Sequence, residues 1–306
     1  MTEAPPASPG TPQEAIFVED TSAHWFQHFA TDPEATAAQV TAAVRSAQQV
    51  AAAAAVHLVV GFGAAMTARL AMETPPGLKP FTEVTGSSGR VAVATQEDVF
   101  LWIHSDRHDL NFEVALAARR AFEEIGELAR ETPSWVYRDS RDLTGFIDGT
   151  ENPPVEEARE LAVIAGGPGA GGSFVLAQRW IHDLDGFAAL ATAEQEQIIG
   201  RTKPDSVELE DQPVDSHLGR VVHTDEDGKE LEIYRRSVPY GTSTEAGLYF
   251  LAFTDDLAKI DLMLESMFGA TGDGHHDRLV TFSETVSGAY YYAPSRETLQ
   301  SLGLAG

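Results

Sequence analysis

The sequence is 306 residues long, contains no cysteine, and carries 21 Lys and Arg against 47 Asp and Glu, a formal net charge of −26. Without cysteine, disulfides, thiolate catalysis, iron–sulfur clusters and thioether-attached haem are excluded. The negative charge repels phosphate backbones and anionic membrane surfaces, so neither nucleic acid nor membrane is expected as a partner.

The first half predicts an alternation of strands and helices after a short leader. Residues 1–14 have neither a basic cluster nor an apolar stretch, so a disordered leader is predicted rather than a signal peptide, and a cytoplasmic location follows. Asp32, Pro33 and Glu34 supply an N-cap, a first-turn proline and a first-turn acid for a helix. The predicted order is strand 15–18, helix 32–53, strands 56–62 and 99–104, helix 110–130 and strand 135–137.

The second half repeats this order. It predicts strand 173–177, helix 193–199, strands 231–234 and 248–253, a helix 255–268 capped by Thr254 and ended by Gly269, and strand 289–292. Two successive β-α-β units predict an α+β protein of two tandem ferredoxin-like domains, each an antiparallel sheet with helices on one face. We expect the domains to span residues 15–147 and 148–306.

Three polar segments stand out as candidate functional sites. In the first, glycines flank Asp148, which permits close approach of the backbone to a ligand, although an ordinary turn between domains would have the same composition. In the second, His217 lies among turn-forming residues. It is either a structural or solvent-facing histidine or an imidazole ligand for iron in a protein without cysteine.

The third segment is a strand that carries two adjacent arginines. Alternation along the strand places Arg235 and Ser237 on one face and Arg236 on the other. We therefore expect Arg235 to point inward and Arg236 to meet solvent. An inward arginine needs an anionic partner, because burying it unpaired costs several kcal/mol.

Together these segments resemble the dye-decolorising peroxidase family, in particular its shorter intracellular branch, type B. The stretch Gly145-Phe146-Ile147-Asp148-Gly149 fits the family's GxxDG signature, and the resemblance continues from about residue 15 to about residue 292. It implies non-covalent haem b, one per chain, with His217 as the proximal ligand and iron-binding residue. It also implies that Asp148, Arg235 and Ser237 form the catalytic group on the opposite side.

The resemblance further implies a mechanism. Asp148 would move a proton between the peroxide oxygens, and its ordinary pKa of about 3.9 would favour an acidic optimum. Arg235 would stabilise the negative charge that develops as the O–O bond breaks. The remaining expected haem-binding residues are Asp277, as the carboxylate partner of His217, Arg201 or alternatively Arg220 for the propionates, and Glu151.

The predicted function is therefore a peroxidase that reduces hydrogen peroxide and oxidises dyes, phenols or other small electron donors, as a homo-oligomer. Two alternatives remain open at the sequence level. The chain could carry haem, or release its iron, without turning over peroxide. It could also be a haem-free, dimeric ferredoxin-like protein that binds a small ligand between its sheets.

Overall fold

The computed structural model describes residues 10–148 and 152–306. The strands are β1 (Ala23–Thr31), β2 (His57–Phe62), β3 (Val84–Thr85), β4 (Val91–Ala92), β5 (Val99–Ser105), β6 (Gly126–Trp135), β7 (Ser173–His182), β8 (Tyr234–Arg235), β9 (Val238–Gly241), β10 (Ala246–Thr254) and β11 (Ser283–Ala293). The helices are α1 (Ala37–Ala54), α2 (Ala64–Arg69), α3 (His108–Phe122), α4 (Val155–Ala162), α5 (Leu184–Ala188), α6 (Thr192–Ile199), α7 (His217–Val221), α8 (Leu257–Phe268) and α9 (Arg296–Ser301).

The fold is a mixed α+β arrangement around one barrel-like closed sheet. In the described chain, nine strands follow the order β7-β11-β2-β5-β1-β6-β9-β10-β8, and an additional pairing of β7 with β10 closes the sheet. Neighbouring strands are antiparallel. The two halves of the chain meet at two narrow seams, each with one paired position: Tyr292 with Phe62, and Ser134 with Tyr240.

Strand alternation divides the apolar residues between the barrel interior and two helix-covered outer faces. Inward side chains from both halves, such as Phe26 and Tyr249, form one interior core. Helices α1 and α3 pack on the outer face of the first half. Helix α8 covers the outer face of the second half, where Leu176 and Phe250 point outward. The sheet is therefore buried on both faces. A strand that carries polar residues can still lie in the core.

The beginning of the chain departs from the prediction. Residues 15–18 were expected to form a strand but lie at a 3-10 turn, Glu14–Phe17, whose buried Phe17 stacks on Tyr234. The predicted leader is also too long, since Gln13 is buried and bonds to the backbone of Val60 and Pro294. Hydrogen bonding to the folded domain therefore orders the chain before residue 15, while residues 1–9 lie outside the described part.

The true first strand is β1, which the sequence pattern missed, and two helix caps also differ. Helix α1 begins after Thr36, which forms a capping box with Gln39 and replaces the predicted cap at Asp32. Helix α8 is capped by Asp256, whose carboxylate accepts from the Ala258 N–H, rather than by Thr254. Among the described residues, no helix combines the length and apolar character needed to cross a membrane.

Candidate active site

A largely apolar cavity lies between the outer face of the second-half sheet and helices α7 and α8. It encloses about 1170 Å³, including the part open to solvent. The sheet wall includes Leu176, Trp180 and Phe250, and the helix wall includes Leu218 and Met263. Every described residue that lines it belongs to the second half of the chain. A cavity of this size and lining suits a large, mostly apolar ligand.

His217 is the first residue of α7 and belongs to the helix wall of the cavity. The Ser216 side chain caps this helix by accepting from the Gly219 N–H. The Nδ1 atom of His217 lies 2.7 Å from Oδ2 of Asp277, which is fully buried. The other oxygen of Asp277 accepts from the Leu279 N–H, so the carboxylate is held in place. This pairing orients the imidazole and leaves Nε2 as the ring nitrogen available to a metal.

Arg235 reaches the same cavity from β8, and its backbone is held by Asn152. Asn152 Nδ2 donates to the Arg235 carbonyl at 2.6 Å, and Asn152 Oδ1 accepts from the Arg235 N–H at 3.0 Å. The Nε atom of Arg235 is buried and has no hydrogen-bond partner within the described residues. Sequence reasoning missed Asn152, although its place four residues after Asp148 is the one signal that could have marked it.

Asp148 and Arg235 lie between the apolar cavity and a second, polar one. Both residues line the first cavity together with His217, and both also line the second, which encloses about 1130 Å³. Ser237 lines only the polar cavity, where its hydroxyl accepts from the Leu251 N–H at 3.3 Å. The structure thus brings Asp148, Arg235 and His217 to one cavity and places Ser237 on the polar side of Arg235.

Arg236 is only partly exposed, whereas the alternation predicted that it would meet solvent. Its guanidinium donates to the carbonyl oxygens of Ile16 and Val18 and lies over the Trp102 ring, 5.2 Å from its centroid. The prediction failed because β8 has only two residues and the segment after Phe17 covers its second face. Arg236 therefore anchors the beginning of the chain to the barrel.

The two arginines expected to hold propionates are not among the described residues that line the cavity. Arg201 donates to the Ser206 carbonyl and pairs with Glu208, and it does not line the cavity. Arg220, the alternative, is buried and pairs with Asp273. Both guanidiniums make protein contacts, and their role as propionate partners stays a prediction. Glu151 lies outside the described residues.

His182 is a cavity residue that the sequence analysis did not single out. It ends β7 on the face that lines the cavity, with Nδ1 2.7 Å from the Ser283 hydroxyl and Nε2 3.1 Å from Asp142. Burial opposes ionisation of Asp142, but hydrogen bonds from His182 and Thr144 outweigh it and hold the pKa of Asp142 below its ordinary value. His182 therefore ties the loop that carries Asp148 to the sheet wall.

Two family models match the chain and together span most of it. The N-terminal model of the Dyp-type peroxidases matches residues 13–133, and the C-terminal model matches residues 139–298. The chain belongs to the Dyp-type peroxidase family. The resemblance inferred from the GxxDG stretch, His217 and Arg235 is thereby confirmed at the level of family and enzyme class.

Relatives of this Dyp-type peroxidase agree in sequence and in structure. A dye-decolorizing peroxidase of Mycobacterium tuberculosis is 35% identical over 231 residues, which cover 74% of this chain and 69% of that protein. The DyPB structure from Rhodococcus jostii has a TM-score of 0.90 at 34% identity and covers 96% of this chain and 98% of that one. A dye-decolorizing protein from Vibrio cholerae has a TM-score of 0.87 at 38% identity, covering 94% and 99%. Variants of the R. jostii protein have been solved in complex with haem.

Proposed function

We propose that this Dyp-type peroxidase binds haem in the apolar cavity, reduces hydrogen peroxide there, and oxidises a dye, a phenol or another small electron donor. The proposal rests on the convergence of His217, Asp148 and Arg235 on one cavity. The haem complexes of the R. jostii variants support the same cofactor here. We expect one non-covalent haem b per chain, since the sequence has no cysteine to form thioether links.

The residues present fit such a group. The two walls are mostly apolar, as the faces of a porphyrin require, and His217 presents its free ring nitrogen from the helix wall. Opposite it, the buried Arg235 Nε is a donor without a partner among the described residues, as expected for a group that meets a bound anion. When bound, haem supplies the redox chemistry that side chains lack.

His217 would hold the iron through Nε2, and Asp277 would set its basicity. Because Nδ1 donates to a buried carboxylate, the imidazole is a stronger electron donor than an unpaired one. Asp277 also fixes the ring orientation, since both of its oxygens are engaged. The pair of His217 and Asp277 is thus already oriented in the folded chain.

Asp148 and Arg235 would act on peroxide. Asp148 would accept a proton from one oxygen atom of hydrogen peroxide and return it to the other oxygen atom. This second oxygen leaves as water when the O–O bond breaks. Arg235 stabilises the negative charge on that oxygen while the O–O bond breaks. Ser237, beside Arg235 in the polar cavity, serves as a polar neighbour of this pair.

We also infer that each half of the chain is a ferredoxin-like unit, divided near residues 147 and 148. In the first half the sheet order is β6-β1-β5-β2, which is fourth, first, third and second strand in chain order. In the second half, leaving aside the two-residue strand β8, the order is β11-β7-β10-β9, which is the same arrangement. The two narrow seams between the halves support this division. The cytoplasmic location and the homo-oligomer remain predictions.

The test is an absorption spectrum of the full chain titrated with haem, followed by peroxide and a general electron donor. We expect a Soret band and peroxide-dependent oxidation for the natural sequence, loss of both for His217→Ala, and neither loss for His108→Ala, an exposed histidine of the first half. Haem binding without peroxide turnover would establish the carrier alternative. No haem binding would establish the haem-free alternative.

A further inference from the structure

The sheet wall of the apolar cavity contains one buried amide that the mechanism above does not use. Gln178 is 1% exposed, and neither its Nε2 nor its Oε1 has a hydrogen-bond partner among the described residues. Leaving buried amide groups unpaired is costly, so native proteins rarely do so without a reason. Such an amide in a cavity wall indicates that a ligand completes its hydrogen bonds.

Strand geometry explains why the protein supplies no partner. Gln178 lies between Leu176 and Trp180 on the face of β7 that lines the cavity. Its neighbour across β10 is Phe250, and its neighbour across β11 is Gly288. One is apolar and the other has no side chain, so neither directly paired position offers a side-chain partner to the amide, and the residue lines the cavity.

We propose that Gln178 is a further cofactor-binding residue, whose carboxamide donates a hydrogen bond to an oxygen atom carried by the bound haem. The inference rests on the proposed function. Iron protoporphyrin has two kinds of oxygen acceptor, the propionate carboxylates at its edge and the oxygen ligand on the open side of the iron. Gln178 lies on the sheet wall of the cavity whose helix wall carries His217, so both kinds of acceptor are candidates.

A second buried glutamine provides the matched control. Gln13 is 5% exposed, and its amide is fully bonded to protein: Nε2 donates to the carbonyls of Val60 and Pro294, and Oε1 accepts from the Val60 N–H. It does not line the cavity. The two glutamines therefore differ in whether the folded chain or a ligand supplies their hydrogen-bond partners. Substitution of Gln13 should affect unfolding, whereas substitution of Gln178 should affect haem binding.

The experiment compares Gln178→Met with Gln13→Met, each measured by haem titration and by unfolding of the full chain with and without haem. For Gln178→Met we expect haem binding to weaken about 10- to 100-fold, because a hydrogen bond to a charged group is lost, while unfolding without haem is no easier. For Gln13→Met we expect easier unfolding and haem affinity within about twofold of the natural sequence. Gln178→Glu, which cannot donate when ionised, should weaken haem binding at least as much.

A haem whose propionates are esterified separates the two acceptors. If a propionate is the acceptor, Gln178→Met loses its effect with the ester. If the iron-bound oxygen is the acceptor, the effect persists with the ester. Equal haem affinity for Gln178→Met and the natural sequence, or easier unfolding of that variant without haem, would overturn the inference. Failure of the natural sequence to bind haem would instead refute the proposed function, so the two failures are distinguishable.

Discussion

The barrel interior contains a hydrogen-bonded network of buried side chains, whereas the cavity wall contains buried polar atoms without partners among the described residues. In the interior, His28 lies between two tyrosines, with Nε2 2.6 Å from the Tyr249 hydroxyl and Nδ1 2.8 Å from that of Tyr291. The Tyr291 hydroxyl donates to Glu97, which pairs with Arg130. We refer to these five residues as the barrel network.

The histidine and the two tyrosines of the barrel network have donor and acceptor roles that are consistent with one another. Because Tyr291 donates to Glu97, its oxygen accepts from Nδ1–H of His28, and Nε2 then accepts from Tyr249. Burial raises the pKa of both tyrosines well above the ordinary value and lowers the pKa of His28 to about 3. The network is therefore a chain of neutral groups that ends at an ion pair.

The cavity wall lacks this internal consistency. Arg235 and Gln178 have buried polar atoms without partners in the described chain, although the strands that carry them join the same sheet. Where such unpaired groups line the cavity, a ligand can complete their hydrogen bonds, whereas the paired groups of the barrel network stabilise the fold. Substitutions in the two regions should therefore affect different properties.

The largest expected effect comes from the cavity wall. Arg235→Ala should slow the reaction with peroxide by about 10² to 10³, because a preorganised positive charge is lost, and Asp148→Ala should have a smaller, pH-dependent effect. Stopped-flow absorption of the haem-loaded variants measures both rates. Arg236→Ala is the neighbouring control, expected to lower the free energy of unfolding while changing the peroxide rate less than tenfold. The reverse order of Arg235 and Asp148 would contradict the assigned roles.

In the barrel network, the expected effect is on stability. His28→Leu leaves the Tyr249 hydroxyl buried without an acceptor and should lower the free energy of unfolding by about 1–3 kcal/mol. Denaturant unfolding measures this change, and haem affinity should stay the same. Adding Tyr249→Phe to that variant removes the unpaired hydroxyl and should recover part of the loss. A double variant no more stable than the single one would show that the hydroxyl is not the cause.

A third effect concerns the pH dependence of stability. The folded protein holds the pKa of His28 at about 3 and that of His24 at about 4, against an ordinary value of 6.5, in both cases chiefly through burial. The unfolded chain takes up these protons first, so the stabilisation is complete above pH 6.5 and is lost as the pH falls toward 3. Each histidine adds up to about 1.4 kcal/mol per pH unit in this window. Unfolding of His28→Leu between pH 6.5 and 4.5 should show a shallower slope, and an unchanged slope would refute the assignment.

The sequence predicted elements well where one pattern dominates and poorly where both faces of a strand are buried. Strands β2 and β5 are nearly continuous apolar runs, and their predicted positions match the structure within two residues. Strand β1 was missed because its polar residues, such as His24 and Gln27, are buried and hydrogen-bonded to protein, which removes the alternation that marks a half-exposed strand.

The candidate site shows the same division. Asp148, His217 and Arg235 were found because their flanking motifs are local in the sequence. The contact between His217 and Asp277 spans 60 positions, and only the resemblance suggested it. Gln178 and His182 carry no motif, since their significance comes from which face of β7 meets the cavity. Arg201 also lies in a local motif, but its guanidinium donates to the Ser206 carbonyl and it does not line the cavity, so its role stays a prediction.

The position of the cavity outside the barrel determines how a large planar cofactor can enter. All of its described lining residues belong to the second half, and one of its walls consists of the short helix α7 and helix α8. Because the cavity lies outside the closed sheet and is partly open to solvent, a ligand can reach it without breaking the hydrogen bonds that close the sheet. The sheet can therefore close before haem binds.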